Sequence, residues 1–277
     1  MGGRSARRSV SRDHALLQKD RPLVGVVHLP PLSGPRSPGV EAILERARAD
    51  AEAYATAGFD ALLVENFGDT PFPKERSEPH VAAMVGRAVA TAREASGLPT
   101  GANVLRNDVR SALAAAHAGG GVFVRVNVLT GVLVTDQGLI EGDAHDVLTY
   151  RDRLGRGGGP ERILVCADVA VKHAAPLAPR RVEDEAHDTA HRARADVLLV
   201  TGSATGRAPI MDDLFAAKRG AGGVPVWAAS GVDEKTVAKV LEVADGVVVG
   251  SAVKQGGVTH HEVDADKAHR FVQAAGR

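Results

Sequence analysis

Carboxylate, amide and imidazole side chains recur in this chain at the ends of short apolar runs. His28 closes the first such run and Glu65 the second, followed directly by Asn66; Asn103, Arg125 with Asn127, Asp168 and Thr201 close later ones. Two carboxylates divide acid and base work when burial and neighbouring charge push their pKa values apart. Glu65 and Asp168 are the pair so placed, and Asp136 is a third acid on the long stretch 129–142. Asn103 and Asn127, with the hydroxyls of Thr130, Thr201 and Ser203, are the residue types that grip substrate hydroxyls. His28 is either a proton relay or a hydrogen-bonded wall residue. The competing reading of Glu65 is a plain salt bridge to Arg106 or Arg125. Lys172 is a Schiff-base nucleophile if desolvated, or an electrostatic partner for phosphate or carboxylate. With no local motif around it, the electrostatic role is favoured.

Small residues end the last two runs: Ala229-Ser230-Gly231-Val232 and Val249-Gly250-Ser251-Ala252. Glycine lets backbone N–H groups approach phosphate oxygens, so Ser230, Gly231, Gly250 and Ser251 read as a phosphate cradle. Gly202, in Thr201-Gly202-Ser203-Ala204-Thr205-Gly206, opens a further anion-type loop, which lacks the lysine of a nucleotide P-loop. His187 and His191 have helical metal spacing but lack the glutamate of a zinc-protease motif, so a solvated face is expected. Cys166 sits in an apolar run and reads as a small core residue rather than a nucleophile.

Elements must bring these residues together. β-Branched apolar runs fall at 23–28, 61–65, 100–105, 122–126, 163–167, 197–201, 226–229 and 246–250, and their continuous apolar character suits strands buried on both faces. Between them, helical periodicity marks 40–57, 79–96, 107–118, 144–154, 182–194, 209–221, 233–243 and 264–275. Eight strands alternating with eight helices predict a single (β/α)8 TIM barrel with a phosphate site after strands 7 and 8. Active sites of such barrels lie at the C-terminal strand ends, where the polar residues above fall. The stretch 129–142 is long for a strand-to-helix connection and carries Val132, Leu133 and Val134, so it is expected to be a lid or an added hairpin contacting a second subunit.

Composition agrees. The chain has 277 residues, 34 Lys+Arg against 34 Asp+Glu, and 31 Gly but only nine aromatics. Zero net charge argues against a nucleic-acid binder, and no apolar run is long enough to span a bilayer. One cysteine excludes an internal disulfide. Residues 1–20, rich in Arg and Ser, are expected to be a disordered basic arm ahead of a barrel over 21–277.

Several motifs resemble the BtpA/SgcQ family. They are Val24-Gly25-Val26-Val27-His28-Leu29-Pro30-Pro31-Leu32, Glu65-Asn66-Phe67-Gly68-Asp69, Asn103-Val104-Leu105-Arg106-Asn107-Asp108 and Arg125-Val126-Asn127. Thr135-Asp136-Gln137-Gly138, Asp168-Val169 with Lys172-His173, and the Thr201–Gly206 loop complete the likeness, which runs in order over about 21–275. The resemblance implies a barrel of the phosphate-binding kind. Members are tied to photosystem I accumulation at membranes in one setting and to sugar metabolism in others. The expectation is an enzyme acting on a phosphorylated sugar or nucleotide-like small molecule, with Glu65 and Asp168 effecting glycosyl-bond transfer or cleavage. The alternatives are a Schiff-base aldolase using Lys172 and a non-catalytic assembly factor. No cofactor is predicted; a divalent metal at the carboxylates is compatible but unsupported. A cytoplasmic location and a homodimer are expected.

Overall fold

The computed structural model describes residues 14–171, 174–201 and 211–277. In chain order its strands are β1 (Leu23–His28), β2 (Ala61–Glu65), β3 (Thr100–Asn103), β4 (Phe123–Val126), β5 (Val132–Thr135), β6 (Gly138–Glu141), β7 (Leu164–Val169), β8 (Ala174–Pro176), β9 (Val197–Thr201), β10 (Val226–Ala229) and β11 (Val247–Val249). Eight of them close a parallel barrel in the order β1-β2-β3-β4-β7-β9-β10-β11, with β11 pairing back onto β1. This is the (β/α)8 architecture that the alternation of strands and helices predicts.

Helices α1 (Ala15–Gln18), α2 (Val40–Ala57), α3 (Pro79–Ser96), α4 (Val109–Gly119), α5 (Ala144–Arg153), α6 (Val182–His187), α7 (Met211–Ala221), α8 (Val237–Leu241) and α9 (Ala265–Ala274) complete the described chain. Helix α2 follows its periodicity: Ile43, Ala47, Ala51 and Tyr54 are buried, and Gly58 ends it at φ 93°, donating to the carbonyls of Tyr54 and Ala55. Two helices are shorter than their pattern. The Asp233 carboxylate accepts from the N–H groups of Lys235 and Thr236, holding a turn there, so α8 starts only at Val237. Helix α6 gives way at Asp188 to a wider turn over Asp188–Arg192, where Ala193 N–H reaches back to Asp188.

Two large clusters make up the core of the barrel and its helices. Outward-facing strand residues such as Leu23, Val27, Leu62 and Val124 pack under the helices, while Val24, Val26, Leu63, Phe123, Leu199 and Trp227 fill the barrel. The interior needs few aromatics because two suffice: a side chain at Gly101 would strike the Phe123 ring, and one at Gly246 would strike Trp227. Leu16 and Leu17 belong to this interior cluster as well. Residues 14–20, expected in a disordered arm, therefore start the ordered fold, because two leucines find apolar space inside the barrel; residues 1–13 lie outside the described residues.

The stretch 129–142 is a hairpin, and β8 adds to it as a third antiparallel strand in the order β6-β5-β8. Leu133 and Ile140 turn inward onto Val128 and Val171, whereas Val134 and its cross-strand partner Leu139 face outward.

The Lys254–Asp50 ion pair is fully enclosed. Lys254 Nζ donates to Asp50 Oδ2 at 2.6 Å, linking the segment after β11 to α2. Burial lowers the Lys254 pKa to about 8, against the pull of Asp50.

Two outcomes check this packing. Leu16→Ala should cost about 2–5 kcal/mol in urea unfolding, as a large-to-small core change does, whereas a residue in a disordered arm would cost nothing. For Lys254 the unfolded chain holds the extra proton between pH 8 and 10.5, so its contribution to stability grows with pH through that window. The difference in unfolding free energy between wild type and Lys254→Met should therefore shift toward wild type from pH 8 to 10.

Candidate functional site

Successive residues of a strand point to opposite faces, so one parity along each barrel strand looks inward. His28, Glu65 and Asn103 share that parity and lie on one rung, in register across β1, β2 and β3. Arg125 and Asp168 have it on β4 and β7, since inward Phe123 and Cys166 lie two residues before them. Polar side chains thus crowd the C-terminal mouth of an otherwise apolar barrel.

Their pairing is specific. Asn103 Nδ2 donates to Glu65 Oε2 at 2.7 Å, while Glu65 Oε1 faces His28 Nε2 at 4.0 Å. Arg125 Nη1 is 3.9 Å from Glu65 Oε2, the contact expected from the salt-bridge reading. Its other two nitrogens form a fork on Asp168: Nε to Oδ1 and Nη2 to Oδ2, both at 2.9 Å. Asn127 Nδ2 adds a third bond to Asp168 Oδ2. Burial disfavours the Arg125 charge, but Asp168 and, more weakly, Glu65 outweigh it and raise its pKa above the ordinary arginine value.

The mouth opens into a cavity of about 220 Å³. It is lined by His28, Glu65, Phe67 and Arg125 and by Ser230, Gly231, Gly250 and Ser251, with Gly257 and Thr259 also on its surface. All four described residues expected to cradle phosphate therefore line a single cavity with His28 and Glu65. Ser230 and Gly231 both have positive φ, 85° and 71°. For serine this is a strained conformation of the kind that gathers at functional sites. The N–H groups of Gly231 and Val232 take no partner among the described residues. Glycine at 250 is required, since a Cβ there would lie 2.6 Å from the His28 ring. Asp233 adds a negative charge to the cavity lining, but its Oδ1 is turned to its own turn, accepting from Thr236 Oγ1 at 2.7 Å.

Other expected site residues lie elsewhere. The Asp168 side chain is fully enclosed and both its oxygens are engaged, so the expected second free carboxylate is a support for Arg125. Asp136 is on the exposed hairpin turn, bonded to Gln137, because the long connection folds into strands that carry it off the mouth. Thr130 bonds Thr189 and faces a separate pocket of about 260 Å³ with Leu133, Leu177 and Glu185. Thr201 is buried and donates to the Ala170 carbonyl. Asn127 is buried, with Oδ1 lacking a partner among the described residues. Lys172, Gly202 and Ser203 lie outside the described residues. Burial, with Asp196 and Asp168 adding to it, pushes the Cys166 thiol well above its usual range, as suits a core residue.

Gly257 and Thr259 are among the cavity residues that sequence reasoning passes over. The adjacent glycines 256 and 257 after the last strand are the signal that marks the turn carrying Thr259. Among the described residues no group of three or more His, Cys, Asp or Glu side chains is placed to hold a metal ion, and no helix is long and apolar enough to cross a membrane.

Fold and geometry define a (β/α)8 barrel with its candidate site at the C-terminal mouth. Within that class the chain belongs to the BtpA family, whose profile matches residues 19–277. It is 42% identical to the photosystem I biogenesis protein BtpA of Synechocystis sp. over 93% of this chain and 88% of that one. An uncharacterised protein of Pyrococcus furiosus is 44% identical over 91% and 94% of the two chains. Among solved structures, the N-(5'-phosphoribosyl)anthranilate isomerase of P. furiosus superposes with TM-score 0.56 at 16% identity, over 92% of this chain and 98% of that one, a likeness of fold.

The buried fork gives a direct check. Asp168→Asn leaves enclosed Arg125 with only the more distant Glu65 carboxylate and should cost about 3–5 kcal/mol in denaturant unfolding. Glu65→Gln, which keeps an oxygen for Asn103 and loses only the longer contact to Arg125, should cost clearly less than Asp168→Asn.

Proposed function

We propose that the protein is an enzyme acting on a phosphorylated small molecule, a phosphosugar or nucleotide-like compound. One observation carries this reading: a single cavity is lined both by the glycine and serine loops after β10 and β11 and by the Glu65, His28 and Arg125 side chains. Phosphate oxygens would be received by the N–H groups of Gly231 and Val232 and by the Ser230 and Ser251 hydroxyls, without a field of lysines. The cavity is at the small end for ligand sites, which suits a monophosphorylated compound better than a dinucleotide.

Glu65 is the group for acid–base work. Asn103 fixes one of its oxygens, leaving the other on the cavity side toward His28, so a proton can be taken or given at Oε1. Arg125 adds a fixed cation that favours negative charge developing beside Glu65. Asp168 acts through Arg125, holding its plane. Because Asp168 is engaged by Arg125, glycosyl-bond cleavage would rest on Glu65 alone. It would protonate the leaving oxygen, and the resulting carboxylate would take back a proton from the water that attacks the anomeric carbon. A Schiff-base route would run through Lys172.

A second reading, a non-catalytic assembly factor, is favoured by the name of the Synechocystis relative. A melting-temperature screen against phosphosugars and nucleoside monophosphates separates the two, since a ligand at 100 times its dissociation constant stabilises by about 2.7 kcal/mol. The enzyme reading expects at least one phosphorylated compound to raise the melting temperature and to be turned over. Glu65→Gln should then lower turnover about 100-fold or more while keeping the thermal shift. If no phosphorylated compound shifts the transition and a partner protein co-purifies, the assembly reading stands instead. Borohydride trapping of a covalent adduct at Lys172 would move the chemistry to the Schiff-base route.

A further inference from the structure

The segment after β11 lines the cavity at Gly257 and Thr259 and returns to the barrel wall. Its two ends meet: Lys254 and Val263 form an antiparallel bridge, Gln255 N–H donates to Glu262 O, and Asp264 N–H to Val253 O. A single carboxylate on α2 holds both ends. Asp50 Oδ2 accepts from Lys254 Nζ at 2.6 Å and Oδ1 accepts from Val263 N–H at 2.8 Å. One turn earlier on α2, Arg46 lies 3.2 Å from Asp50 and donates to the His260 carbonyl. Lys267 Nζ, from α9, donates to the Lys254 carbonyl.

Between these ends, Gly256 and Gly257 turn the chain at φ 63° and 72°, bringing the Thr259 hydroxyl to 2.7 Å from that of Ser251. Ser251, Gly257 and Thr259 all face the cavity. Asp50 and Lys254 are 1% and 0% exposed. Enclosing an ion pair costs desolvation that an apolar pair would not incur, so such a pair is a poor device for stability alone. What it supplies is a fixed position, set by charge and hydrogen-bond direction, for the eight residues it clamps.

We propose that residues 255–262 form a third wall of the anion site, in which Thr259 with Ser251 contacts the ligand oxygens and Asp50, on the outside of the barrel, is the positioning residue. This rests on the phosphate reading given above. It extends the site beyond the two strand-end loops to the segment that follows β11.

The test is titration of the full chain with inorganic phosphate, followed by calorimetry. Wild type should bind. Thr259→Val, an isosteric change at a half-buried position, should weaken binding roughly tenfold, the loss of one hydrogen bond to a charged group, and Thr259→Ser should restore it. The double variant Asp50→Asn with Lys254→Met removes both enclosed charges but keeps an amide oxygen for Val263. It should weaken phosphate about tenfold with an unchanged circular-dichroism spectrum, whereas a merely structural role would lower the melting temperature and leave the affinity alone. Should that variant not fold, Arg46→Gln loosens the same segment from a half-buried position and should weaken binding in the same direction. Wild-type affinity in Thr259→Val overturns the third wall. Wild-type affinity in the folded double variant, or in Arg46→Gln if the double does not fold, overturns the role of Asp50. Failure of wild type to bind any phosphate overturns the phosphate reading itself, and with it this extension.

Discussion

Parity along the barrel strands governs this molecule. A closed parallel barrel has one interior, and every second residue of each strand must enter it. Lower in the barrel these positions carry Val24, Leu63, Phe123 and Leu199, and at the mouth they carry His28, Glu65, Asn103, Arg125 and Asp168. A one-residue slip in any strand would send its polar residue under a helix and an apolar one into the mouth. The apolar interior and the candidate site are therefore one pattern, read at two heights.

Within that pattern, charge is distributed by who is already paired. Arg125 keeps its charge in an enclosed place, Asp168 offsets the cost of burying it, and once the two are forked together neither has much freedom. Glu65 is held more loosely, with one oxygen on Asn103 and the other toward the cavity. Residue type alone makes Glu65 and Asp168 look equivalent. Their partners make one a candidate for proton transfer and the other a brace.

Membership of the BtpA family and the barrel fold rest on different comparisons, and they inform different things. A relative 42% identical over nearly the whole chain ties this sequence to its family. The superposition on an isomerase at 16% identity speaks for architecture, since unrelated chemistries share this fold. The reading of the site stands on its own cavity, which backbone N–H groups and hydroxyls share with titratable side chains.

Sequence alone determined the eight-fold alternation, the bounds of helices such as α2 and α3, and the glycine and serine loops that line the cavity. These are legible because they follow from local periodicity, β-branched runs and glycine stops, each decided within a few residues. Tertiary structure alone decided that Asp168 is consumed by Arg125, 43 residues away, that Asp136 leaves the mouth on a hairpin, and that Leu16 and Leu17 enter the barrel. It also decided that Asp50 clamps a segment more than 200 residues further on. Such pairings depend on barrel closure, strand stagger and the path of long connections, which set distances that no local pattern encodes.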